Sequence, residues 1–209
     1  MGEAEKTVKV YQPNLQVVVL ELVGDAPGYI GNGWSEAALK ALEQGNRTGK
    51  SKTMPTRDYE AEANGARRLL LTPTEGATDG IPASAFKDAI IKTGFRCADF
   101  KGTELRAWIS VMSQDGLLPI FGSVAEPRRD ICRVRKGSSK IPLPVCRPCY
   151  KAPWETTLQL KYDANSIDLN QLVSLVVVAG FSIGVGAWRP ECAGDFGRFT
   201  VKSVSEVAQ

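Results

Sequence analysis

The sequence contains no histidine. That removes Ser-His-Asp and Cys-His nucleophile chemistry, and it removes histidine as a general acid or base. The usual catalytic zinc sites go with it, since most use at least one imidazole. An enzymatic reading therefore starts without the commonest catalytic side chain. Disulfides are equally hard to invoke, because five cysteines, Cys97, Cys132, Cys146, Cys149 and Cys192, are an odd number and fit a reducing compartment better. Cys146 and Cys149 have the spacing of half a zinc knuckle, but no second pair of like spacing exists. Cys132 and Cys192 could complete a four-thiolate site only through a coincidence of folding, so ordinary thiols are expected and no metal or other cofactor. Long apolar runs are missing too. Met1 to Lys6 is polar and lacks a signal-sequence core. Leu172 to Ile183 is broken by Ser174, Gly180 and Ser182 and falls short of the ~20 residues that span a bilayer. A soluble, cytoplasmic protein with no membrane partner is the expectation.

What is present suits a packed globule. Hydrophobic residues at 43% and charged residues at 23% of 209 exclude global disorder and fit one large domain, or one with sizeable insertions. The net charge of +3 is small, so the position of the basic residues matters more than their number. They gather in two segments. Gly45 to Arg57 carries Arg47, Lys50, Lys52 and Arg57 with no acid. Gly45, Gly49, Lys50 and Ser51 nearly match a phosphate loop. The spacing is one residue short, however, and the segment follows a helix where a strand is required, so a basic loop able to lie along a phosphate backbone is the better reading. Arg128 to Lys151 sets Arg128, Arg129, Arg133, Arg135, Lys136, Lys140, Arg147 and Lys151 against Asp130 alone. Alternation over 129–135 puts Ile131 on one face and Cys132 and Val134 on the other. Basic residues then occupy both faces, which predicts an edge or protruding ribbon rather than a core strand.

The periodicities predict strands over 7–11, 15–23 and 67–72, a helix over 35–44, and a turn over 73–80. Ala85, Phe86, Ala89 and Ile90 share a helical face after Pro82, placing Ser84 and Lys87 near a helix N-terminus, where unpaired N–H groups attract anions. Leu105–Met112 and Leu117–Phe121 read as a hairpin around Gln114-Asp115-Gly116. Trp154, Thr156, Leu158, Leu160 and Tyr162 alternate with polar residues in the clearest half-buried strand. Asp168 then caps a helix over 169–179. After it comes a segment dense in glycine: Gly180, Gly184, Gly186, Gly194 and Gly197. Trp188, Arg189 and Arg198 within it combine a stacking face with positive charge, which suits single-stranded nucleic acid. A closing strand over 198–204 ends the chain.

This order fits an α+β, ferredoxin-like (RRM-like) antiparallel sheet with helices on one face. Two segments extend the likeness to a family. Ile81-Pro-Ala-Ser-Ala-Phe-Lys87 resembles the Ile-Pro-Gly-Ser-Ser-Leu-Lys helix start of the RAMP superfamily, the RNA-binding proteins of CRISPR effector complexes, with Ala83 and Ala85 as departures. Gly184 to Phe199 is similar to the glycine-rich loop before their last strand, and Phe196-Gly197 follows their Gly-Phe-Gly. The Trp188-Arg189-Pro190-Glu191 insertion is unusual for CRISPR subunits and looks more like phage-encoded relatives.

The resemblance implies one RAMP-like domain over 1–209, with basic insertions at about 45–66 and 122–151. It implies RNA, in preference to DNA, lying extended near Ser84, Lys87, Gly184 and Gly186 under the basic arms. Members stack side by side along RNA, so a homo-oligomer or a subunit of a nucleoprotein complex is implied. Guide-processing members use a catalytic histidine that this chain lacks, and a non-catalytic binder is the leading reading. Two others stay open. One is a metal-dependent ribonuclease using loop carboxylates such as Asp25, Asp99 or Asp115. The other is a protein-interaction module, such as a phage factor acting on a host nucleoprotein complex.

Overall fold

A computed structural model describes residues 12–36, 40, 58–97, 100–136 and 139–207; the side chains of 96–97, 133–136, 139–141 and 143 lie outside that description. The strand expected over 7–11 and the basic loop with Arg47, Lys50, Lys52 and Arg57 also lie outside it. Of the helix expected over 35–44, only its first residues and Lys40 are described.

The chain is α+β, built on antiparallel sheets. The principal sheet uses β1 (Leu15–Gly24), β5 (Ile109–Met112), β9 (Glu155–Asp163) and β10 (Phe199–Val207) in the order β10-β1-β9-β5. With α2 (Ala83–Cys97) between β1 and β5 and α4 (Leu169–Ser182) between β9 and β10, this is the βαββαβ order of a ferredoxin-like fold. All three strand pairs are antiparallel. The sheet forms because alternation gives it one apolar face. Val18, Leu20 and Leu22 of β1 and Leu158, Leu160 and Tyr162 of β9 are buried against Phe86, Ala89 and Ile90 of α2 and Leu172, Leu175, Val176 and Ala179 of α4. The helix start expected at Asp168 is there. Its carboxylate accepts from the Gln171 N–H at 2.9 Å, and Gln171 returns a bond to the Asp168 N–H at 3.2 Å. Among the described residues no helix is long and apolar enough to cross a membrane.

Between β1 and α2 lie β2 (Tyr29–Ile30), α1 (Tyr59–Gly65), β3 (Leu69–Thr74) and β4 (Ala77–Pro82). The sequence left 58–64 unassigned. It is helical because Asp58 accepts from the Ala61 N–H at 3.1 Å and so caps α1. The turn expected over 73–80 is mostly strand. Thr74 pairs with Ala77, so the turn itself is only Glu75-Gly76, with Gly76 at φ 83°.

The hairpin expected over 105–121 is also corrected. Gly102–Trp108 is a helix, α3, whose Glu104 carboxylate accepts from the Lys101 N–H at 3.2 Å and whose Leu105 is buried. The turn at Asp115-Gly116 does form, both residues having positive φ, but its arms diverge. β5 pairs with β9, while β6 (Leu117–Pro119) pairs with β4. Long-range partners outcompeted the local one.

The ribbon over 128–151 is a long hairpin, β7 (Ala125–Lys136) with β8 (Ser139–Tyr150), in unbroken register from Ala125↔Tyr150 to Lys136↔Ser139. Pro142, Pro144 and Pro148 all fall on one parity of β8. The donors they lack therefore face away from β7, which keeps the ladder intact and blunts the outer edge. Ile131 is 65% exposed.

Helix and sheet approach closely at Gly180. A Cβ there would collide with the Phe199 carbonyl oxygen and crowd the Phe199 ring at 2.9 Å. Gly180→Ala should therefore destabilise the protein by about 1–3 kcal/mol or more in urea denaturation, whereas Val177→Ala on the exposed side of α4 stays within about 0.5 kcal/mol.

Candidate nucleic-acid interface

The glycine-rich segment is a pinned loop. Gly184, at φ 69°, closes α4 by donating to the Ala179 carbonyl at 2.9 Å. Val185 then donates to Gly197 at 2.9 Å, Ala187 to Ile30 at 2.9 Å, and Gly197 to Gly28 at 2.7 Å. These bonds seat the loop on β2. Gly186 is required there, because its φ is 81° and a Cβ would strike the Ile30 carbonyl and the Tyr29 ring. The turn this forces leaves Trp188 at φ 55° and 42% exposed at the loop's crest.

Two recesses flank the loop and share Asn32, Gly186 and Arg189. The first, of about 300 Å³, lies against α2 and is lined by Ser84, Asp88, Lys92, Gly184 and Arg68. The second, of about 760 Å³, opens toward the ribbon between Trp188, Cys192, Ile131, Cys132 and Arg147. The combination is a trough with cations in both recesses and an exposed indole lining the second.

Several of these charges already have partners. The Arg189 guanidinium donates through Nη1 to the Gly186 carbonyl at 2.9 Å, and through Nε and Nη2 to Glu191 at 2.9 and 2.7 Å. Lys92 reaches the same carboxylate at 2.7 Å. The Lys92 hydrogen bond foremost, with Arg189 behind it, holds the Glu191 carboxyl below the ordinary carboxylate range against the opposing effect of burial. Arg198 donates to the Phe181 carbonyl, pairs with Asp195 at 3.3 Å and lies over the Phe181 ring at 4.8 Å. Arg128 pairs with Asp130 at 3.0 Å and stacks on Phe196 at 4.6 Å, and Arg129 stacks on Tyr59 at 4.4 Å. Arg128 and Arg147 stand directly opposite in the β7–β8 ladder.

Of the residues singled out by sequence, Ser84, Gly184, Gly186, Trp188, Arg189 and Arg147 meet around the trough. Lys87 does not line it, and Arg198, Arg128 and Arg129 are absent from both linings. Arg133, Arg135 and Lys136 are placed by their backbone in β7, with Arg135 opposite Lys140. Sequence reasoning missed Arg68, Asn32 and Lys92. Lys92 could have been found, because it lies one and two turns beyond Asp88 and Ala85 on the face that Ser84 begins. Asn32 and Arg68 are brought in by long-range folding and carry no such signal. The half-knuckle cysteines, Cys146 and Cys149, are buried in the body of the protein, and burial pushes the Cys149 thiol pKa up. Among the described residues no group of three or more acids and cysteines could hold a metal.

The Asp79 carboxylate of β4 is clamped by Arg67, which donates to both of its oxygens at 2.8 and 2.7 Å. Burial raises the Asp79 carboxyl, but Arg67, Tyr150 and Thr78 outweigh it and leave the pKa below its ordinary value of 3.8. Burial, reinforced by Asp79, raises the Tyr150 phenol. A lowered carboxyl pKa stabilises the fold above the unfolded-state value and loses that contribution as pH falls through the folded one. Arg67→Ala should cost about 1.5–3 kcal/mol at neutral pH. In urea titrations its deficit against wild type should shrink below the ordinary Asp79 value of 3.8.

The fold and the trough define an α+β protein of ferredoxin-like topology with a cationic, indole-bearing cleft at its glycine loop. No family model matches the chain, and no curated protein matches it. Among solved structures, one to which the chain is similar is the crystal structure of Cmr6 from Pyrococcus furiosus, with TM-score 0.46 and 12% identity over 91% of this chain and 100% of that one.

Proposed function

We propose that this chain binds single-stranded nucleic acid, RNA in preference to DNA, as a non-catalytic subunit of a nucleoprotein assembly. The observation that carries the reading is the convergence of both recesses on Asn32, Gly186 and Arg189, with Trp188 exposed beside them. A strand following the trough meets a loop with little side-chain bulk, an indole for one base, and cations from α2, from Arg68 just before β3 and from β8. Such a mixture of stacking platform and positive groove is how single strands are held without base-pair readout. The preference for RNA, and assembly along the strand, rest on the resemblance of Ile81–Lys87 and Gly184–Phe199 to RAMP proteins.

Fluorescence anisotropy with labelled oligouridylate and the matched deoxy-oligomer tests this. Trp188→Ala, in protein whose melting is unchanged, should weaken binding by about 1–3 kcal/mol, the usual loss for one stacked base. Affinity should fall steeply with salt. Unchanged affinity would remove the loop from the interface. Absence of any binding at low salt, together with a partner protein retained after nuclease treatment, would replace the reading with that of a protein-interaction module.

A further inference from the structure

The first recess carries a feature that simple nucleic-acid binding does not need. Its best-placed cations are satisfied by the chain's own carboxylate. Arg189 is held by its Nη1 bond to the Gly186 carbonyl, which fixes the direction of the Nε–Nη2 edge of the guanidinium. That edge is the fork that recognises carboxylate or phosphate. Glu191 fills it. Its Oε2 accepts from Arg189 Nε at 2.9 Å, from Arg189 Nη2 at 2.7 Å and from Lys92 Nζ at 2.9 Å, while Oε1 takes Lys92 at 2.7 Å. One carboxylate thus occupies a site built by a helix residue and a loop residue about a hundred positions apart in sequence.

We propose that Glu191 is an intramolecular stand-in for a phosphate group. It holds the Lys92–Arg189 fork in the absence of ligand and is displaced when a phosphodiester enters the recess. This rests on the nucleic-acid reading above. Three properties favour exchange over a permanent structural bridge. The side chains of Lys92, Arg189 and Glu191 keep 43%, 26% and 30% exposure, so the bridge is open to solvent, and ion pairs this exposed contribute little net stability. The fork's orientation does not depend on Glu191, because the Gly186 carbonyl sets it. The adjoining cavity of about 300 Å³, with Arg68 on its wall, has room beside the fork for a phosphate. The consequence is a threshold, in which a ligand must outcompete the internal anion. Weakly charged ligands are excluded, and a phosphate presented together with a stacked base is admitted.

The test compares wild type with Glu191→Gln and Glu191→Asp by anisotropy on oligouridylate, with Glu206→Gln in β10, outside the recess, as a control for net charge. Both Glu191 variants should bind about two- to fivefold more tightly at low salt, the size of change that exposed ion pairs of this kind are worth. Glu191→Gln should leave the slope of log affinity against log salt close to that of wild type, because the fork neutralises the same phosphate once Glu191 has been displaced. Glu191→Asp, which keeps the charge but reaches less far, guards against a folding defect in the neutral variant. Tight wild-type binding with unchanged or weaker binding by both variants, or an equal gain from Glu206→Gln, overturns the stand-in while leaving the nucleic-acid reading intact. No binding by wild type but binding by Glu191→Gln supports it. No binding by any variant overturns both.

Discussion

The seating of the 183–197 loop on β2 is the constraint on which the rest of the structure depends. Three backbone hydrogen bonds, from Ala187 to Ile30, from Gly197 to Gly28 and from Val185 to Gly197, fix the loop's path. That path is possible only because Gly186 offers no side chain to the Ile30 carbonyl and the Tyr29 ring. Tyr29 in turn stacks with Tyr150 at 5.6 Å and Trp154 at 5.9 Å, so the loop rests on the aromatic junction where the ribbon leaves the principal sheet. The turn of the loop presents Trp188 to solvent, aims Arg189 along its own backbone, and opens one recess toward α2 and the other toward the ribbon.

The electrostatics follow a second rule. The chain's basic residues are numerous, but few of those described near the loop are unengaged. Arg198, Arg128 and Arg129 lie over aromatic rings, Arg189 and Lys92 share Glu191, and Arg67 is committed to Asp79. Planar guanidinium groups suit both aromatic faces and carboxylates, so a basic cluster in sequence is not by itself a phosphate-binding surface. What distinguishes the trough is geometry: cations from separate elements converge on it, and one exposed indole lines its second recess.

Much of the fold was legible. Alternation in Trp154–Tyr162 marked β9, the Asp168 cap and apolar run marked α4, and basic residues on both faces of the 129–135 alternation marked the β7–β8 ribbon. At 73–80 the turn is simply tighter than expected, with Thr74 paired to Ala77. At 105–121 the local signals, a Gly-containing turn and apolar residues nearby, are genuine, yet the pairing partners are distant. β5 took β9 and β6 took β4, because burial of a whole strand outweighs one local turn. At 58–65 the capping aspartate was present but the apolar period was too short to reveal a helix.

The candidate site divides the same way. The sequence alone determined the glycine loop, its Trp188-Arg189 crest and the helix start at Ser84, because glycine density, an isolated indole and helical spacing are local properties. Tertiary structure decided which of them meet. It turned Lys87 away and Lys92 inward, brought Arg68 and Asn32 from remote segments, and set Glu191 between two cations. The reason is physical: which side of an element faces a cleft depends on the elements packed against it, and whether a charge is available depends on partners that the chain order does not reveal.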